Sequence, residues 1–111
     1  MKDKMVWVEE DVNTGHAIRI FKSQKLAFAC PGRIMLWLRS KAVKDIRHQI
    51  ALRANGRDEL SGEIITESSM HMHEEKHRGQ GGEISLANSV GISYPTHKRA
   101  HKDRNPHWRK P

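Results

Sequence analysis

A chain of 111 residues has room for one hydrophobic core, because a second of useful size needs roughly another hundred residues. Only 36% of the residues are apolar and six are aromatic (Trp7, Phe21, Phe28, Trp37, Tyr94 and Trp108), so the core is modest and mainly aliphatic. The formal net charge is +7, the lone Cys30 excludes an internal disulfide or a multi-cysteine zinc site, and no run reaches the roughly 20 apolar residues that cross a bilayer.

The opening Met1-Lys2-Asp3-Lys4-Met5 leads into a charged segment rather than an apolar signal region, which predicts a cytoplasmic protein with no membrane partner. Residues 5 to 22 read as a β-hairpin. Met5-Val6-Trp7-Val8 is rich in strand formers, Asn13-Thr14-Gly15 supplies the turn, and His16 to Phe21 alternates polar with apolar. Leu26 to Cys30 predicts a third short strand ended by Pro31-Gly32, with Cys30 as a buried, inert thiol.

From Arg33 to Ala54 the period becomes helical, with Met35, Leu38, Ala42, Ile46 and Ile50 in one apolar stripe and Asn55-Gly56 as the stop. Lys41, Lys44 and His48, flanked by Arg47 and Arg53, mark the opposite face, a pattern that suits solvent or phosphate equally. Ser61 to Thr66 and Gly81 to Leu86 resemble one another and are read as short strands. Ser68 to Arg78 is read as a short helix, and Ser89 to Tyr94 as a last strand before Pro95. The expected fold is α+β: a small antiparallel sheet of three to five short strands packed on one main helix, residues 1–95, followed by an extended basic C-terminal arm, residues 96–111.

Six of the eight histidines, His71, His73, His77, His97, His101 and His107, lie in the last 41 residues. His73-Glu74-Glu75-Lys76-His77 matches the H-E-x-x-H pattern, in which two imidazoles one helical turn apart hold zinc and the glutamate activates water. The segment resembles the active-site helix of zinc metalloproteases, which implies His73 and His77 as metal ligands, Glu74 as the catalytic base and zinc as cofactor. Glu75 and Lys76 at its centre are costly to bury against a core, and the preferred reading has no catalytic residue, no metal and no cofactor. Pairings of His71 with His73, or His97 with His101, offer a weaker metal alternative, the latter crowded by Lys98, Arg99 and Lys102.

The strongest signal is charge position. Residues 96–111 hold Lys98, Arg99, Lys102, Arg104, Arg109 and Lys110 against Asp103 alone, which places +5 of the net +7 there. Cations interleaved with histidines and Trp108 combine phosphate contacts with flat faces for bases. The sequence therefore predicts a non-enzymatic accessory factor that binds nucleic acid or an acidic surface of nucleic-acid-processing machinery. Lys98, Arg99, Lys102, Arg104, Trp108, Arg109 and Lys110 form the contact. The rivals are a protein inhibitor or modulator docking on a helicase, nuclease or polymerase, and a zinc-dependent hydrolase built on His73, Glu74 and His77.

Overall fold

The computed structural model describes residues 3–76 and 82–103, with 100–103 described as backbone. The chain order is β1 (Met5–Glu10), β2 (Ala17–Ile20), α1 (Gln24–Ala29), β3 (Arg33–Leu38), α2 (Arg39–Ala54), β4 (His71–Glu74), β5 (Ile84–Ser85), β6 (Ser89–Ile92) and α3 (Tyr94–Asp103). One antiparallel sheet has the order β3-β1-β2-β5, and β4 pairs with β6 in a separate two-stranded sheet. The expected α+β class, with one main helix against a small antiparallel sheet, is the observed one.

The β1–β2 hairpin forms for the local reasons its turn residues supply. The Asp11 carboxylate accepts the Asn13 and Thr14 N–H groups at 2.8 and 3.1 Å, and Gly15 takes a positive φ of 76° that other residues rarely adopt. Helix α2 ends at Asn55, in the left-handed region at φ 53°, followed by Gly56 at φ 80°.

The long helix predicted from Arg33 divides in two. Residues 33–38 are strand β3, paired with β1 from Met5 opposite Leu38 to Glu10 opposite Arg33. A five-residue apolar run, Ile34 to Leu38, satisfies either period, and the free edge of β1 decides for the strand. Arg33 and the Trp37 indole both reach Glu10, at 3.0 and 2.7 Å, which pins that register. Only Ala42, Ile46 and Ile50 of the predicted stripe are buried, together with Val8, Ala17 and Ile20 of the sheet, whereas Met35 and Leu38 stay more than two-fifths exposed.

Helix α2 has no side-chain cap of its own at Leu38. Asp3, ahead of β1, accepts the Ser40 N–H and hydroxyl, and the Lys4 carbonyl accepts the Arg39 N–H at 2.8 Å. The cap thus comes from 37 residues away in sequence.

Four further expectations are corrected. Leu26 to Ala29 belongs to helix α1, because the Ser23 hydroxyl accepts the Leu26 N–H at 3.2 Å and starts a helical turn; Cys30 beyond it is half-buried, receiving Arg19 at 3.2 Å. Residues 61–66 make one isolated bridge, Arg57 with Ile64, instead of a strand. Where a helix is expected over residues 68–78, residues 71–74 form β4, whose ladder with β6 pairs His71 with Ile92 and His73 with Val90; residues 77 and 78 lie outside the described residues. The expected extended arm begins instead inside a helix: residues 96–103 belong to α3 (Tyr94–Asp103), since Ser93 caps it and Pro95 lies in the first turn, where a missing N–H costs nothing. Residues 104–111 lie outside the described residues.

Gly91, on β6, is where the two-stranded sheet meets α2. A Cβ there would stand 2.5 Å from the Met70 sulfur and 3.1 Å from Ile50 Cγ2. Gly91→Ala is expected to destabilise the fold by about 1–3 kcal/mol through overpacking, read as a lower urea midpoint in equilibrium unfolding.

Candidate functional site

The candidate site lies where β4 and the first turns of α3 face each other. Strand alternation places His71 and His73 on one side of β4, with Met72 and Glu74 on the other. On α3, Tyr94 and His97 are three residues apart and share a face. The His71 ring sits 5.6 Å from the Tyr94 ring and 5.1 Å from that of His97, and His73 lies edge-on to His97 at 5.2 Å. His73 is buried, 3% exposed, whereas Tyr94 is 59% exposed. Lys98 and Arg99, next along the helix, are exposed.

The position of α3 is set by Asp58, in the loop after α2. Its carboxylate accepts the Leu60 and Ser61 N–H groups at 2.7 and 2.8 Å, closing a local turn, and the Ser93 N–H at 2.8 Å, at the junction of β6 and α3. Burial alone would push the Asp58 carboxyl up. The Ser93 and Ser61 N–H groups, the Thr96 hydroxyl and the Leu60 N–H outweigh it and hold the pKa well below the ordinary 3.8. The same carboxylate lies at the positive end of α3, where an anion is favoured. Ser93 and Thr96, both buried, complete the cap: the Ser93 hydroxyl donates to Thr96 Oγ1 at 3.0 Å and accepts the Thr96 N–H.

Arg53 and Glu59 bind the other end of β6. The Arg53 guanidinium forks onto both Glu59 oxygens at 2.7 Å and also donates to the Leu86 and Ser89 carbonyls. Glu59 accepts the Gly91 N–H at 2.8 Å. Arg47 donates to the Glu67 carbonyl at 2.7 Å, and His48 faces the Glu67 carboxylate at 3.0 Å. Three of the basic residues assigned by sequence to an outward face of α2 are therefore engaged within the protein.

The alternative H-E-x-x-H reading needs a helical turn at His73 and Glu74, and these two are instead neighbours on strand β4, on opposite sides of it; His77 lies outside the described residues. No described helix is long and apolar enough to cross a membrane. Among the described residues there is no group of three or more His, Cys, Asp or Glu side chains that could hold a metal ion. Of the predicted contact residues, Lys98 and Arg99 are exposed on α3 and Lys102 is on its backbone path, while Arg104, Trp108, Arg109 and Lys110 lie outside the described residues.

Sequence reasoning did not bring Tyr94 and His71 to this site. Ser93 with Pro95 two positions on was the available signal for a helix start. Two broad clefts, of about 430 and 470 Å³, border the four-stranded sheet and include none of the clustered rings. No protein-family model matches this chain, nor does any curated protein or solved structure.

Asp58 contributes stability in its ionised form. Because its folded pKa lies below the unfolded value, that contribution is complete well above pH 3.8 and is lost as pH falls through the folded pKa. Asp58→Asn is expected to cost about 2–3 kcal/mol near neutral pH, since it breaks a buried hydrogen-bonded network. The difference from the parent protein should stay constant from pH 7 to about 5 and shrink below about 4, measured by urea unfolding at each pH.

Proposed function

We propose that the β4–α3 face is a contact surface for single-stranded nucleic acid and that the protein is a non-enzymatic accessory factor. The observation that carries this reading is Tyr94: a ring 59% exposed, braced by His71 at 5.6 Å, on a helix that presents Lys98 and Arg99 to solvent. An aromatic face held against a second ring loses little freedom when a base stacks on it, and adjacent cations supply phosphate contacts that release counterions. Further support comes from charge: residues 96–111 carry +5 of the net +7, while Arg47 and Arg53 of α2 are bonded internally. Lys102, Arg104, Trp108, Arg109 and Lys110 extend the same contact in this reading.

Fluorescence anisotropy with a labelled single-stranded oligonucleotide across a salt series tests it. Tyr94→Ala is expected to weaken binding about tenfold, as loss of one stacked base does. Replacing Lys98 and Arg99 with glutamine should reduce the slope of log affinity against log salt by about 1.4, two single-strand phosphate contacts. A chain ending at Asp103 should bind more weakly than the full chain if Trp108, Arg109 and Lys110 take part. Affinity that is negligible or unchanged in Tyr94→Ala and in the Lys98/Arg99 variant would remove the proposal. In that case the inhibitor reading predicts instead a protein complex recovered after nuclease treatment.

A further inference from the structure

We propose that the free edge of β3 is a self-association surface, through which two copies of this chain join their four-stranded sheets in an antiparallel, two-fold dimer. This goes beyond the nucleic-acid reading and does not depend on it. In the sheet order β3-β1-β2-β5, β3 stands at one end, and among the described residues no strand pairs with its outer edge. Edge strands of natural proteins are commonly interrupted by a charge, a proline or a bulge that discourages further pairing. From Ile34 to Leu38 this strand has none of them, and Met35, Leu36 and Leu38 are 43%, 49% and 45% exposed.

The hydrogen-bond alternation of the ladder fixes which groups the edge offers. The Arg39 N–H donates to the Lys4 carbonyl and the Phe21 N–H to the Trp7 carbonyl, so even-numbered residues of β1 bond toward β3 and odd-numbered ones toward β2. On β3 the odd-numbered Arg33, Met35 and Trp37 therefore bond to β1. The Ile34 and Leu36 N–H and C=O groups and the Leu38 N–H point to the open edge. A second β3, running antiparallel with Leu36 opposite Leu36, matches these groups donor to acceptor, with Ile34 facing Leu38 on either side of the axis. The same register keeps apolar side chains together. Ile34, Leu36 and Leu38 lie on the sheet face of Met5 and Trp7 and meet their counterparts there, while Met35 meets Trp37 on the α2 face. Arg33 of one copy stands across from Arg39 of the other, and each already has a carboxylate beside it, Glu10 and Asp3 respectively.

Two further observations favour a second copy as the occupant. The opposite end of the sheet is β5, two buried residues long, which offers no strand for head-to-tail growth, so the pairing closes at two molecules. The apolar area also approaches what a dimer needs. Met5, 52% exposed, and Phe28, 61% exposed and edge-on to Trp7, continue the patch of Met35, Leu36 and Leu38. At about 200 Å² per fully exposed side chain, these leave roughly 500 Å² uncovered, which with the backbone edge comes near the ~800 Å² per partner of a standard interface. The two-fold places both α1 helices on one face of the joined sheet, with the Phe28 rings flanking the paired strands.

Sedimentation of the full-length chain without nucleic acid tests this, so it can fail while the oligonucleotide proposal stands. A monomer–dimer equilibrium with a dissociation constant on the order of 10 µM is expected. It should hold or tighten as salt rises, since both copies carry +7, whereas oligonucleotide binding should weaken. Leu36→Lys, which opposes two like charges at the axis, should weaken dimerisation at least tenfold, while Leu52→Lys, at a 67% exposed position on α2, should leave it unchanged. Leu36→Cys in a Cys30→Ser background provides a readout independent of stability changes. Hydrogen-bonded antiparallel pairs hold their Cα atoms about 5.5 Å apart, within disulfide reach, so mild oxidation should cross-link two chains there and not in Leu52→Cys on the same background. A chain monomeric at about 100 µM, polymers larger than the dimer, dimerisation undiminished in Leu36→Lys, or cross-linking no faster in Leu36→Cys than in Leu52→Cys would each overturn the assignment. A monomer that binds an added strand-forming peptide at this edge would overturn it as well, and give the edge to a foreign strand.

Discussion

One buried carboxylate organises the C-terminal half of this protein. Asp58 holds its own loop by two N–H groups and reaches Ser93 by a third hydrogen bond, so the segment after α2 and the start of α3 are tied through a single side chain. The cost of burying the charge is met by several donors directed at two oxygens, together with the partial positive charge at a helix start. Because β6 leads directly into α3, fixing Ser93 fixes the direction in which Tyr94, His97, Lys98 and Arg99 point.

The Arg53–Glu59 pair supports the same region from the other side. Arg53 comes from the last turn of α2, Glu59 from the loop beside Asp58, and both bond to β6 or the turn before it. A lysine at position 53 would keep the charge but lose the planar fork that reaches two carboxylate oxygens and two carbonyls at once. With both ends of β6 secured, the short β4–β6 ladder needs only four residue pairs to hold His71 and His73 in place. A ladder so short would be marginal alone, and its packing on α2 through Met70, Ile50 and the bare Gly91 backbone is what sustains it.

The basic residues of the two helices serve different ends. Arg47 and Arg53 on α2 turn inward to backbone carbonyls and a carboxylate, while Lys98 and Arg99 on α3 stay exposed, as Lys41 and Lys44 do on α2. The helix with the clearer apolar stripe is thus structural, and the chemically richer surface belongs to the shorter helix and the strand facing it.

Local chemistry made several features readable in the sequence. Asp11 to Gly15 closes its hairpin, Asn55-Gly56 ends α2, and the four-residue spacing of Ala42, Ile46 and Ile50 marks a buried face, because each depends on residues within a few positions. The basic bias after Pro95 is likewise a matter of composition. Tertiary structure decided the rest. Arg33–Leu38 is apolar enough for either a helix or a strand, and the unpaired edge of β1 resolved it. His71–Glu74 has little strand preference of its own and became a strand through pairing with residues 89–92, across an interval that sequence spacing does not measure. Capping of α2 by Asp3, and the meeting of His71, His73, Tyr94 and His97, join residues more than twenty positions apart, so no local pattern encoded them; only folding placed them together.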